Sequence, residues 1–85
     1  MKINISTFNV RGLKDIYKRE TLLNDFIKNK IDVLAIQETH QKDIEHLTYH
    51  RKDNKYELYI SECGNSHHGV GFLVKSEYNP IFRKI

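Results

Sequence analysis

The apolar positions of this chain change period several times, and each change marks an element. Over residues 2–10, Ile3, Ile5, Thr7, Phe8 and Val10 recur, with Ile3, Ile5 and Thr7 on one face, and the run stops at Arg11-Gly12. That pattern predicts a strand followed by a turn. Ile16, Leu22, Leu23, Phe26 and Ile27 then return at spacings of three and four, with Lys18, Arg19, Glu20, Asp25 and Lys28 between them. An amphipathic helix over residues 15–30 follows, with Asp15 as its cap and Leu23, Phe26 and Ile27 as the stripe that packs on a sheet. Residues 31–37 are short and nearly all apolar, which predicts a strand buried on both faces.

Strand, helix and strand within about 36 residues read as a βαβ-like unit and place the chain in the α/β class. Residues 41–54 are polar, with Ile44 and Leu47 as their only aliphatics, and predict a short surface helix and loop. Two further strands are expected, one alternating over residues 56–60 and one continuous and apolar over residues 69–74, joined by a loop at residues 63–68. No repeat, linker or low-complexity tract interrupts them, so one compact unit is expected.

Composition narrows this picture only a little. A chain of 85 residues buries about 60–65% of its unfolded surface, so its core is thin. Fourteen Lys and Arg against eleven Asp and Glu give a net charge of +3, which is compatible with a polyanionic partner and equally with a solvated basic surface. The single cysteine, Cys63, excludes an internal disulfide and suits a reducing compartment. No apolar run reaches the length of a membrane span, and Met1-Lys2-Ile3-Asn4 lacks the apolar core of a signal peptide. An intracellular protein without a membrane is expected, the nucleus included among its compartments.

Candidate chemistry gathers where two strands end. Glu38 directly follows the buried run, at the carboxyl edge where open α/β sheets place their sites. Asn9 stands in the same relation to the first strand. If the two strands are neighbours, an amide and a carboxylate meet, an oxygen-only pair that suits Mg²⁺. Read alone, each has a plainer account: a glutamate after a strand reads first as loop solvation, and asparagine readily bonds its own backbone in a turn.

Three blocks of the sequence bear on that choice. Residues 6–13 (Ser6 to Leu13), residues 32–40 (Asp32 to His40) and residues 69–74 (Gly69 to Val74) resemble, in order, the first three blocks of the endonuclease/exonuclease/phosphatase superfamily. The nearest likeness is to LINE-type retrotransposon endonuclease domains, with apurinic endonucleases a step further away. The resemblance implies the N-terminal part of a four-layered α/β sandwich, two packed sheets flanked by helices. It implies a Mg²⁺-dependent phosphodiesterase acting on DNA, with Mn²⁺ as a substitute metal. By the same likeness Glu38 matches the metal-binding glutamate and Asn9 the asparagine that positions metal and phosphate, so both are expected as catalytic residues and metal ligands. Gln37 would support Glu38, while Arg11, Thr39 and His40 lie where the family approaches the nucleic-acid backbone. Arg11 stands where many members carry a small polar or acidic residue, and a basic side chain there can pair with phosphate.

Nothing after Val74 resembles the family's downstream Asp-x-Asn element or its terminal Ser-Asp-His element. Residues 1–85 are therefore expected to form a partial domain that is inactive alone, with Val33, Ala35, Phe72 and Val74 lining a sheet face partly open to water. Two other readings stand beside the endonuclease: a phosphatase of the same superfamily acting on phospholipids or inositol phosphates, and a non-catalytic relic that binds nucleic acid weakly. His46 and His50, four apart, lack a third ligand at a suitable spacing. Cys63 with His67 and His68 offers a thiolate and imidazoles in a loop, a grouping more often inert.

Overall fold

The computed structural model describes residues 2–13, 15–40, 44–61 and 69–78. Strand β1 (Ile5–Asn9) leads to helix α1 (Ile16–Lys28) and strand β2 (Val33–Gln37), followed by β3 (Glu45–Arg51), β4 (Asn54–Ile60), β5 (Val70–Lys75) and a 3-10 turn at Ser76–Tyr78. The strands form one mixed sheet in the order β1-β2-β5-β4-β3. β1 and β2 are parallel, with Asn9 opposite Gln37, and every other pairing is antiparallel. The expected βαβ unit is therefore present, and the class is α/β.

Both ends of α1 are set by local chemistry. The Asp15 carboxylate accepts the Tyr17 N–H at 2.8 Å and satisfies one of the amides a helix start leaves without a partner. At the other end Lys30 adopts a left-handed backbone with φ 55°; its N–H bonds the Ile27 carbonyl at 3.1 Å, and the Ile31 N–H bonds the Phe26 carbonyl at 3.1 Å. Those two bonds are the Schellman pattern, and Ile31 packs against the core beside Phe26 as such a cap requires.

The buried stripe of α1 is Leu22, Leu23 and Phe26. Leu23 and Phe26 behave as expected, but Ile27 is exposed and Leu22 takes its place, because the helix is rotated toward its Leu22 side. Phe26 meets the Tyr56 ring edge-on at 5.8 Å, and Val10, Leu13, Leu34, Ile36, Leu58, Ile60 and Leu73 close the rest of the core. β2 is covered on both faces as its composition predicts, since Leu34 and Ile36 face the helix while Val33 faces away and is also buried. The face away from the helix is less open than expected: Val33 and Val74 are buried, and Ala35 and Phe72 are half-buried. Leu73 and Gly71 point toward α1, and Gly71 lies opposite both Ile36 and Ile60.

The expected surface helix and loop across residues 41–54 is replaced by a strand. β3 pairs along its whole length with β4 through a two-residue connection at Lys52 and Asp53. Its polar side chains are those of an edge strand, and its helix-facing residues are tied to α1 by the Arg19–Glu45 pair at 2.8 Å and an Arg51–Glu20 pair. The expected loop at residues 63–68, with Cys63, His67 and His68, lies outside the described residues. No helix among the described residues is long and apolar enough to cross a membrane.

Two buried carboxylates stabilise the sheet. Asp32 accepts the Asn4 N–H at 2.8 Å and pairs with Lys75 at 2.9 Å, and these contacts, the Asn4 bond first, hold its carboxyl below the ordinary range. Burial pushes the Glu57 carboxyl up, but hydrogen bonds from Ser76, His46 and Thr48 outweigh that and hold it low as well. A carboxyl lowered by folding contributes stability above its unfolded pKa of about 4 and loses it as pH falls through the folded value. The urea midpoint should therefore drop between pH 7 and about pH 3, and drop less in an Asp32→Asn, Glu57→Gln variant. An equal drop in that variant would show that other groups govern acid sensitivity.

Candidate active site

Parallel pairing of β1 and β2 places their carboxyl ends side by side, and the chain continues the ladder past both. The Val10 N–H bonds the Gln37 carbonyl at 3.0 Å, the Gly12 N–H bonds the Glu38 carbonyl at 2.7 Å, and the Leu13 N–H bonds the Thr39 carbonyl at 2.9 Å. On the far side of this seam the Thr39 N–H bonds the Gly69 carbonyl at 3.3 Å, joining the start of β5 to the same corner. Residues 9–13 and 37–40 thus form one rigid lip at the sheet edge.

The Asn9 side-chain amide donates to the Glu38 carboxylate, while its oxygen accepts the Arg11 N–H at 3.1 Å. One asparagine therefore clamps the carboxylate and shapes the turn that follows it. His40 lies on the other side, its Nε2 3.7 Å from the second Glu38 oxygen. The Asn9 hydrogen bond, followed by His40 and the Arg11 charge, holds the Glu38 carboxyl below the ordinary carboxylate range. Its side chain is 40% exposed, so an ionised oxygen pair is presented to solvent.

The backbone is strained at this lip. Five described residues other than glycine have positive φ, and three of them, Arg11 (52°), Glu38 (56°) and His40 (56°), are here. Such conformations are uncommon for L residues and cluster where surrounding structure forces a side chain into a working position. Here the ladder with residues 10–13 supplies that force.

Asn9, Glu38, Arg11 and His40 are brought together. Arg11 is exposed and His40 partly so. Thr39 is fully buried, and its hydroxyl has no hydrogen-bond partner among the described residues, so its side chain offers no surface to a phosphate. Gln37 is exposed at the end of β2, one step from the clamp. Gly12 is a participant that the sequence pattern marked only as a turn. Its φ is +104°, and a Cβ there would lie 3.3 Å from the His40 ring, so glycine keeps room for that imidazole.

The oxygen donors fit a hard divalent cation in a restricted sense. The Glu38 carboxylate is the kind of oxygen ligand Mg²⁺ takes from a protein, the remaining positions being left to water and phosphate. Asn9 turns its N–H to Glu38 and its oxygen to the Arg11 N–H, and so positions the carboxylate instead of adding a second oxygen beside it. No group of three or more His, Cys, Asp or Glu side chains among the described residues is placed to hold a metal, which leaves softer, fully protein-ligated centres without support there.

The candidate site is thus a clamped, ionised carboxylate at the carboxyl edge of parallel strands in an α/β domain, flanked by Arg11 and His40. A family model described as the Endonuclease/Exonuclease/phosphatase family matches residues 6–83, and the chain belongs to that family. No curated protein and no solved structure matches it.

Proposed function

We propose that the chain carries the metal-binding end of a Mg²⁺-dependent DNA endonuclease domain, of LINE-type or apurinic kind, built on a four-layered sandwich. The Asn9–Glu38 contact is the observation that most supports the reading, because it holds ionised the carboxylate that, by resemblance, matches the family's metal glutamate. When bound, Mg²⁺ would polarise the phosphodiester and neutralise charge on its oxygens. Glu38 holds the ion, Asn9 fixes the rotamer of Glu38, and Arg11 meets the phosphate as a permanent cation. His40 flanks the carboxylate on the side away from Asn9. The reading assigns none of these groups the part of a general base, and binding of metal and DNA phosphate without cleavage is the outcome expected of the 85 residues.

Paramagnetic broadening by Mn²⁺, read by NMR on the 85-residue chain, tests this. Broadening should centre on residues 9, 11 and 38–40 and disappear in Glu38→Ala, while Asn9→Ala should weaken Mn²⁺ binding by about 10–100-fold, as loss of a positioning partner does. Broadening elsewhere would remove the site. Plasmid nicking with Mg²⁺ should be absent; robust nicking lost in Glu38→Ala would instead show a self-sufficient enzyme.

A further inference from the structure

Among the described residues the sheet ends in two edges, β1 and β3. An edge strand presents a row of unpaired backbone N–H and C=O groups, and proteins usually blunt it with proline, lysine, a bulge or brevity. β3 has no proline, lysine or bulge, and its charges Glu45 and Arg51 stand only at its two ends. Its seven residues pair with β4 without interruption, and nothing among the described residues pairs with its outer side. The two-residue connection makes Arg51 and Asn54 a hydrogen-bonded pair. Alternation from that pair points the backbone groups of His46, Thr48 and His50 outward.

We propose that this edge joins a second copy of the chain, the two β3 strands pairing antiparallel about a two-fold axis at Thr48. A two-fold contact must be complementary to itself, and Glu45–Arg51 is. In that register Glu45 faces Arg51 of the second copy, Leu47 faces Tyr49, His46 faces His50, and Thr48 faces its equivalent. The backbone agrees with the side chains. Residues 46, 48 and 50, whose amides point outward, become the hydrogen-bonded pairs. Leu47 with Tyr49 and Glu45 with Arg51 become the closer pairs, where side chains interact most.

Charge extends across the seam as well. Glu45 already meets Arg19, and Arg51 meets Glu20, so each end of the pairing lines up Arg19, Glu45, Arg51 and Glu20 in alternating sign. Leu47, 37% exposed, gains a cover. The opposite edge has no such match, since β1 paired about Thr7 would set Ile5 against Asn9 and Ser6 against Phe8. Asn9 and Glu38 lie across the sheet from β3, so the dimer leaves the candidate site open.

Sedimentation equilibrium of the 85-residue chain decides the matter. The chain should reach twice its 10.1 kDa mass. Glu45→Arg or Arg51→Glu alone sets like charges together at both ends and should weaken association by about tenfold or more. Mixing the two variants restores opposite charges at both ends and should recover the dimer, which also shows that both variants fold. Thr48→Pro, which removes the central N–H, should be monomeric. A wild-type chain that stays monomeric up to about 1 mM, a dimer indifferent to both reversals, or a mixture that fails to recover association would each overturn the proposal.

Discussion

Phe26→Ala should lower the unfolding free energy by about 3–5 kcal/mol, the usual cost of emptying a fully buried aromatic site. Phe26 has no exposed surface, stands edge-on to Tyr56, and supplies the carbonyl that caps α1 through Ile31. A chain of 85 residues has only roughly 4–13 kcal/mol to lose, so a large share of its stability goes with this one ring. Urea unfolding followed by circular dichroism measures the loss, and Phe26→Leu, which refills most of the space, should recover much of it. A cost below about 1 kcal/mol would mean that α1 does not pack on the sheet in this way.

Gly71→Ala should be nearly as damaging although it adds a single methyl group. A Cβ at residue 71 would lie 2.5 Å from the Tyr59 carbonyl oxygen and 3.5 Å from Ile60, and a backbone atom cannot swing aside as a side chain can. β4 would have to move away from β5 at the point where Gly71 faces Ile60, loosening the hydrogen-bonded ladder between them. Overpacking of this kind costs about 1–3 kcal/mol and occasionally more. The same urea titration tests it, and a variant as stable as wild type would show that the two strands are not this close. Glycine within a strand often marks such close approach, and here its neighbours Val70 and Phe72 give no hint of which strand approaches.

What the sequence disclosed and what it concealed divides along physical lines. α1 was legible because Leu23 and Phe26 repeat at helical spacing and Asp15 caps them, both local properties. β2 was legible because a short apolar run has few other uses. The meeting of Asn9 with Glu38 could be anticipated from two strands ending alike, once their parallel pairing was supposed. β3 was concealed because an edge strand carries many polar side chains, and because its turn at Lys52 and Asp53 lacks the Asn-Gly or Asp-Gly signature that announces a hairpin. Its partner, β4, could be recognised as a strand but not assigned to it. Ile27 looked like a core residue because it shares the stripe with Leu23, and only the rotation of the helix on the sheet chose Leu22 over it. The buried Thr39, between the half-buried polar residues Glu38 and His40, was concealed for the same reason: tertiary packing, not local pattern, decided it.

If Glu38 holds the metal as proposed, its left-handed backbone sets fold and activity against each other. A φ of 56° suits glycine or asparagine far better than glutamate, and a residue held there costs on the order of 1–3 kcal/mol. A lineage selected only to stay folded would find its easiest improvement at residue 38, and would take it by discarding the carboxylate. Related chains should therefore separate into two populations at this single position. On the proposed role, chains that keep glutamate would be those in which the site is in use, and chains with glycine or asparagine would be more stable and would no longer hold the metal.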